Sequence, residues 1–453
     1  MITPRTLKGF RDFLPETMLT RQSLLTCVQH TFASFGFTPI DTPALEYLEI
    51  LQGKGSDETD KQIYKFTDNG GREVGLRFDL TIPFARFAAQ HIDELGTPFK
   101  RYHIAKVWRG ENTQAGRYRE FTQCDFDTIG TKSLTADIET ALVINTLLQY
   151  ISIKERQKFE SFTRFKIHIN NRKILNGLLD KLGISDKTTA VLRSLDKLNK
   201  IGKAAVIAEM SANTGIPQTQ AETVLQLAEL SGSNDEKIAA LQKMLDGNQT
   251  GETGIAEVST LLQAVNAAGV PPERIVLDVS IARGLDYYTG TIYETFLDDL
   301  PEIGSVCSGG RYDNLAGLFT KQELPGVGAS LGLDRLLAAM ETLGMTEKRF
   351  SPVPFFMPFF AENRLNDYLR ITSELRSQDI GIEFYPEAKK LGQQLKYADR
   401  RGFTWAVIIG EDEFAENIVQ LKNLKTGQSE KIPLPDLVEV LHRESQILHR
   451  RLD

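Results

Sequence analysis

Trp108-Arg-Gly-Glu-Asn-Thr-Gln-Ala-Gly-Arg-Tyr-Arg-Glu-Phe-Thr-Gln-Cys-Asp-Phe-Asp127 joins two runs rich in β-branched and aromatic residues, Lys100 to Arg109 and Tyr118 to Thr128. The polar loop between them runs from Gly110 to Arg117, and two long strands around a short polar loop predict an antiparallel hairpin. Side chains alternate faces along a strand, so Arg119, Phe121, Gln123, Asp125 and Asp127 share one surface. An arginine, an amide and two acids on one face fit either a half-exposed sheet or the wall of a ligand site.

Upstream of the hairpin, residues 17 to 35 carry Leu24, Leu25, Val28 and Phe32 at helical spacing, and Gly36-Phe-Thr-Pro39 stops that helix. Gly75 to Phe78 reads as a strand. Downstream, residues 186 to 253 change to short helical patterns separated by Ser231-Gly-Ser-Asn-Asp235 and Asp246-Gly-Asn-Gln-Thr-Gly251, which predicts a helical insertion. Strands resume at Ile275 to Val279, Thr289 to Leu297 and Gly304 to Ser308, and a glycine-punctuated run leads into a helix beginning near Gly332. Ser351-Pro-Val-Pro354 reads as a linker. Beyond it, Phe355 to Phe360, 363 to 378, 382 to 385, 388 to 401, Trp405 to Ile409 and 435 to 449 alternate strand with helix, the pattern of a small α/β domain with a largely parallel sheet. The expected division is 1–185 and 256–350 for an interrupted core, 186–255 for the insertion and 351–453 for the C-terminal domain.

With 453 residues, 41% of them apolar and 25% charged, the chain has ordinary globular composition and no apolar run long enough to span a membrane. Met1 to Phe10 lacks the apolar core of a secretory signal, which predicts a cytoplasmic protein. Cys27, Cys124 and Cys307 are widely spaced and odd in number, so reduced, buried thiols are expected rather than disulfides or a Cys-x-x-Cys metal site. A net charge of −7 argues against nucleic-acid binding on average. Locally, Pro386 to Gly402 sets Lys389, Lys390, Lys396, Arg400 and Arg401 against Glu387 and Asp399, which suits a solvated helix face or a phosphate contact.

Three further runs repeat the arginine theme: Arg283-Gly-Leu-Asp-Tyr-Tyr288, Gly309-Gly-Arg-Tyr-Asp-Asn314 and Gly326-Val-Gly-Ala-Ser-Leu-Gly-Leu-Asp-Arg335. Each alone could be a plain turn. Together, guanidinium groups and glycines that admit close backbone approach imply a polyanionic ligand. The chain has neither a Gly-x-x-x-x-Gly-Lys-Ser/Thr loop nor a Gly-x-Gly-x-x-Gly opening a helix in a βαβ unit. A nucleotide held on an antiparallel sheet by arginines remains.

These residues match a family. Gly36-Phe-Thr-Pro-Ile-Asp-Thr-Pro43 resembles the first motif of class II aminoacyl-tRNA synthetases, Trp108 to Asp127 the second and Gly326 to Arg335 the third; the boxes Arg283 to Tyr288 and Gly309 to Asn314 resemble the two that mark histidyl-tRNA synthetases. The resemblance covers nearly the whole chain. It implies an α+β catalytic core with a six-stranded antiparallel sheet and flanking helices, a helical insertion, and a C-terminal α/β anticodon-binding domain. It also implies a homodimer, with ATP, Mg²⁺, L-histidine and tRNA(His) as ligands and no dedicated metal ligands in the protein.

By that similarity, the histidine carboxylate attacks the α-phosphorus of ATP. A carboxylate is already ionised at neutral pH, so catalysis rests on positioning and charge stabilisation rather than on a general base. Arg109 and Arg283 look like the catalytic arginines at the α-phosphate and substrate carboxylate. Glu111 matches the adenine side, Arg117 and Arg335 the distal phosphates or ring, and Arg119 and Phe121 belong to the same ATP-binding motif. Asp127 and Tyr288 match positions that bind the imidazole and Asp79 and Gln123 those near the α-amino group, with Leu80, Thr81, Tyr287 and Tyr312 beside them.

Asp79 and Asp127 stand where many bacterial relatives carry Glu, and resemble eukaryotic-type variants. Asn112-Thr113 stands where Arg-Pro is common, which leaves Gln114 as the loop's candidate for the tRNA acceptor end, alongside Lys389, Lys390, Lys396, Arg400 and Arg401 in the C-terminal domain. Two other classes share part of this pattern: the regulatory subunit of a histidine-biosynthetic phosphoribosyltransferase, and an ATP-dependent carboxylate ligase without a nucleic-acid partner. The histidine boxes and the C-terminal domain weigh against both.

Overall fold

The computed structural model describes residues 1–53, 61–113, 116–156, 164–195, 197–281, 287–346 and 350–450 of the 453. The chain divides into two compact units: Met1–Arg11, Leu25–Ser152 and Ser161–Leu343 form the first, and Asp12–Leu24, Ile153–Glu160 and Gly344–Asp453 the second.

Alternating side chains along the predicted hairpin give two ten-residue strands. In chain order the strands of the first unit are β1 (Thr38–Pro39), β2 (Leu45–Tyr47), β3 (Lys65–Thr67), β4 (Glu73–Leu76), β5 (Phe99–Trp108), β6 (Glu120–Ile129), β7 (Phe165–Asn171), β8 (Ile275–Leu277), β9 (Thr291–Leu297), β10 (Cys307–Tyr312) and β11 (Gly326–Gly332). Among the described residues, eight of them form one sheet in the order β1-β5-β6-β11-β10-β9-β7-β8, and β2, β4 and β3 form a separate small sheet. Every pair from β5 through β7 is antiparallel. The edge strands β1 and β8 pair parallel to β5 and β7, so the expected six strands become eight. Strand β1 is only two residues long and lies inside the stretch that stops the first helix, too short for any periodicity to reveal.

One face of this sheet is apolar: Cys124, Phe126, Val327, Leu331, Cys307, Tyr293, Ile167 and Ile169 are all at most 1% exposed. Helices cover it. Phe32, from helix Pro15–Ser34, packs on Phe126 with ring centroids 4.9 Å apart, and the Tyr293 hydroxyl donates to the Asp137 carbonyl of helix Leu134–Arg156 at 2.7 Å. The opposite face is polar.

The glycine-punctuated run 326–332 is a strand rather than a turn. An added Cβ would come within 2.4 Å of the Tyr312 ring at Gly326 and within 2.3 Å of the Asp127 carboxylate at Gly328. Glycine here makes room for the Tyr312 and Asp127 side chains of the neighbouring strands.

The helical stretch comprises Thr188–Leu195, Leu198–Ile201, Lys203–Thr214, Gln218–Ala228, Asn234–Leu245 and Gln249–Ala267. Ser233 and Glu236 cap the fifth of these reciprocally. The last runs well past residue 255 and meets helix Arg172–Lys181 so closely that a Cβ on Gly177 would lie 2.6 Å from the Gly251 backbone.

In the second unit, β12 (Phe355–Met357), β13 (Ile382–Phe384), β14 (Trp405–Ile408), β15 (Ile418–Asn423) and β16 (Ser429–Pro433) form a sheet in the order β13-β12-β14-β15-β16. Its first three strands are parallel and β14-β15-β16 antiparallel, a mixed sheet where a largely parallel one was expected. The hairpin β15-β16 carries Gln420, Lys422, Glu430 and Lys431, whose polarity hides it from an apolar-run reading. Phe355, Met357, Tyr368, Ile371, Leu375, Val407, Ile409 and Leu441 form this unit's core.

Candidate functional site

The polar sheet face is ordered by strand register. One row, His103, Asp125, Ser330, Ser308, Glu294 and His168, crosses from β5 to β7 with each residue opposite the next. The adjacent row is Arg101, Asp127, Gly328, Gly310, Ile292 and Asn170. Over these rows lies a cavity of about 930 Å³, at the upper end of the roughly 300–1,000 Å³ typical of small-ligand sites. Asp79, Thr81, Arg109, Arg117, Gln123, Asp125, Asp127, Tyr287, Tyr288, Tyr312 and Arg335 all line it.

Its floor is an acceptor cluster. Asp79, Asp125 and Asp127 are 1%, 2% and 4% exposed. Burial pushes the Asp125 carboxyl up to about 7 and that of Asp79 up to about 6, against the pull of Arg101 on both and of Arg109 on Asp79. Burial also raises Asp127, which Arg101 and the Tyr312 hydroxyl hold back. The Tyr312 hydroxyl donates to Asp127 Oδ1 at 2.6 Å, and Arg101 Nη2 meets Oδ2 at 2.7 Å. Asp79 Oδ1 accepts from the Ile82 amide at 3.1 Å, at the start of helix Thr81–Leu95. Asp79 Oδ2, Gln123 Oε1 and Asp125 Oδ1 have no hydrogen-bond partner among the described residues. Buried acceptors without partners are costly unless a donor-bearing ligand meets them.

Aromatic rings wall this floor. Tyr287 packs edge-on against Tyr288 at 5.2 Å and Tyr312 at 6.0 Å between centroids. The Tyr288 ring lies over Gly310, where a Cβ would come within 2.9 Å of it.

Beside the acids stands a cationic end. Arg109 donates through Nε to the Phe78 carbonyl at 2.9 Å, and its guanidinium lies 5.1 Å from the Phe121 ring centroid. Glu111 sits between Arg109 at 3.8 Å and Arg117 at 3.9 Å. Arg335 donates to the Ser305 carbonyl. Burial, with the like charges of Arg117 and Arg109, lowers the Arg335 guanidinium to about 10. A guanidinium crowded by two other arginines is prepared for an anion. A second cavity of about 210 Å³ joins Arg109, Glu111, Arg117, Phe121 and Arg335.

Most of the residues singled out in the sequence are thus brought together, on strands far apart in the chain. Leu80 is fully buried beneath the cavity and offers its carbonyl to Arg101 at 3.4 Å. Arg119 lines neither cavity; its Nε donates to the Glu111 carbonyl at 3.1 Å and its stem presses on Gly9. Arg283 and Gln114 lie outside the described residues. In the second unit, Lys390, Lys396 and Arg400 are exposed on and beside helix Leu391–Arg400, Lys389 pairs with Glu387, and Arg401 stands 3.9 Å from Glu383.

Sequence reasoning passed over Arg101, Ser308, Ser330, Glu294 and the cavity's far side, where His168 Nδ1 meets Asp278 Oδ2 at 2.7 Å. The signal for Arg101 was in the hairpin: pairing Trp108 with Glu120 sets Arg101 opposite Asp127.

Comparison with known proteins bears on this geometry. Residues 9–336 match the family model for histidyl-tRNA synthetase, and residues 355–444 that for an anticodon binding domain. The histidine–tRNA ligase of Rhodopirellula baltica is 59% identical over 432 residues, covering 95% of this chain and 96% of that protein. A histidyl-tRNA synthetase crystal structure from a Nostoc strain superposes with a TM-score of 0.87 at 34% identity, covering 98% of this chain and all of the other. A Bacillus halodurans structure titled as an ATP phosphoribosyltransferase regulatory subunit/histidyl-tRNA synthetase shares the fold, with a TM-score of 0.72 at 22% identity over 88% of this chain.

Proposed function

The chain belongs to the histidyl-tRNA synthetase family and ligates histidine to tRNA, and we propose that the cavity over the polar sheet face forms histidyl-adenylate from histidine and ATP. The observation that carries this reading is the adjacency, in one cavity, of partnerless carboxylate and amide acceptors and a crowd of arginines. Histidine presents an ammonium, one or two ring N–H donors and a carboxylate. Its ammonium suits Asp79 and Gln123, its ring Asp127 between Tyr287, Tyr288 and Tyr312. That leaves its carboxylate facing the arginines.

There the carboxylate attacks the α-phosphorus and pyrophosphate leaves. Arg109 and Arg283 hold the α-phosphate and carboxylate together, and Arg117 and Arg335 take the distal phosphates as charge moves onto them. Phe121 and Glu111 serve the adenine, while Arg119 acts from behind by fixing the Glu111 backbone. In the second half-reaction the terminal ribose hydroxyl of tRNA(His) attacks the carbonyl carbon, and AMP departs. Among the described residues no three His, Cys, Asp or Glu side chains converge on a metal site. Mg²⁺ takes phosphate oxygens and one or two carboxylates, so Glu294 in the main cavity would hold it as the ATP complex, where it would supply charge neutralisation.

The C-terminal domain reads the tRNA, with Lys389, Lys390, Lys396, Arg400 and Arg401 as phosphate contacts, while Gln114 of the catalytic core serves the acceptor end. The protein works as a homodimer in the cytoplasm. Leu45, Tyr47 and Phe66 on the small sheet support the dimer, being 39%, 49% and 49% exposed, close to the stretch that resembles the first motif. No helix among the described residues is long and apolar enough to cross a membrane. Pyrophosphate exchange into ATP tests the reading: it is expected to depend on histidine, and histidine binding without exchange would shift the assignment to a regulatory subunit.

A further inference from the structure

Arg101 has no place in the scheme above, yet it is fully buried beneath the site. Its guanidinium lies 4.3 Å from the Phe84 ring centroid, and Nη2 makes the 2.7 Å ion pair with Asp127. Nε and Nη1 have no hydrogen-bond partner among the described residues. A buried guanidinium with much of its donor capacity unmatched is a poor contributor to folding compared with a packed apolar side chain. Its placement is explained by what it holds. Asp127 is gripped from two sides, by Arg101 on one oxygen and the Tyr312 hydroxyl on the other, and lies against Gly328, which has no side chain to displace it.

We propose that Arg101 is a positioning residue for imidazole recognition, fixing the Asp127 carboxylate as the acceptor for the ring N–H and offsetting the negative charge of the floor. The inference rests on the reading that Asp127 binds the ring. The groups facing Arg101 are His103 on its own strand, Asp125 and Asp127 on β6, Tyr312 on β10, Asp79 and Leu80 ahead of helix Thr81–Leu95, and Phe84 within it; Arg77, Arg109 and Tyr288 complete the charged and titratable surroundings. His103 is held down to about 4 by burial, Arg101 and Arg77, so it stays neutral near neutral pH. Removing Arg101 takes away a cation that favours the ionised carboxylates, so their protonation moves to higher pH.

The test is histidine-dependent pyrophosphate exchange by Arg101→Gln and Arg101→Lys in the full chain, with KM for histidine and for ATP measured from pH 5 to 9. R101Q is expected to raise the histidine KM at least about tenfold and leave the ATP KM within about twofold, with the acidic limb of the histidine profile displaced upward. R101K is expected to bring that limb back while recovering only part of the KM, because an ammonium cannot match the guanidinium geometry. In a double-mutant comparison, R101Q should add little to Asp127→Asn. Equal losses for both substrates with an unmoved pH profile, or failure of both variants to fold, would overturn the proposal. Normal R101Q kinetics with a damaged D127N would also overturn it while leaving the ring-binding reading intact, whereas D127N with unchanged histidine KM would remove that reading.

Discussion

Gly328→Ala isolates the geometry of the acid floor. A Cβ at this position would sit 2.3 Å from Asp127 Oδ1 and 2.3 Å from the Phe126 carbonyl, whereas ordinary contact begins near 3.4 Å. Both contacts must open by about 1 Å. The carbonyl belongs to a strand paired on both sides, so β11 shifts locally away from β6 while the carboxylate also moves and strains its bonds to Arg101 and Tyr312. Overpacking of this kind costs about 1–3 kcal/mol of stability. A misplacement of about 1 Å at a positioned reacting site costs on the order of 100-fold, close to 2.7 kcal/mol of transition-state stabilisation. We therefore expect Gly328→Ala to stay folded at 25 °C and to lose on the order of 100-fold in kcat/KM for histidine, with ATP KM nearly unchanged. Gly317→Ala, where nothing lies within 4 Å, is the control. A Gly328→Ala enzyme with histidine kinetics equal to those of the control would refute the claim that Asp127 must lie where it does.

Arg335→Gln should raise the ATP KM by about 10- to 100-fold while leaving histidine KM within about twofold, measured by exchange at saturating histidine. Lys396→Glu with Arg400→Glu should weaken tRNA charging by about tenfold at low salt, less so at higher salt, and leave pyrophosphate exchange untouched; a parallel loss in exchange would place the defect elsewhere. The elevated acids make a stability prediction. Asp125 and Asp79 bind protons in the fold up to about 7 and about 6, while the unfolded chain releases them near 4. The folded state therefore holds more protons between those values, and this part of the ligand-free stability falls as pH rises from about 4 to 7. Asp125→Asn should lessen the fall and raise the melting temperature at pH 8 by about 2 °C or more, with little change at pH 4; an unchanged difference across that range would contradict the assigned burial.

Much of the fold was legible because its signals are local. The β5-β6 hairpin follows from alternation, and the first helix from Leu24, Val28 and Phe32 at helical spacing. The short helices from Thr188 to Leu245 follow from the turn residues that separate them. That Asp79, Arg109, Gln123, Asp127, Tyr288 and Arg335 belong together was legible in the motifs, and they share one cavity. What the sequence left hidden depends on pairing between distant segments. Gly326–Gly332 looks like a turn until the Asp127 and Tyr312 side chains above it are known. Arg101 becomes significant only when register sets it against Asp127, and Arg119, on the same parity as Phe121, precedes the strand and is drawn off by Gly9 and the Glu111 carbonyl. The β15-β16 hairpin is too polar for an apolar-run reading, and it turns the expected parallel sheet into a mixed one.

The most direct measurement is a crystal structure with a non-hydrolysable histidyl-adenylate analogue. An imidazole nitrogen is expected about 2.6–3.2 Å from an Asp127 oxygen, within the ring of Tyr287, Tyr288 and Tyr312, with the phosphate replacement against Arg109. An analogue bound with its imidazole toward Arg117 and Arg335, or outside this cavity, would contradict it.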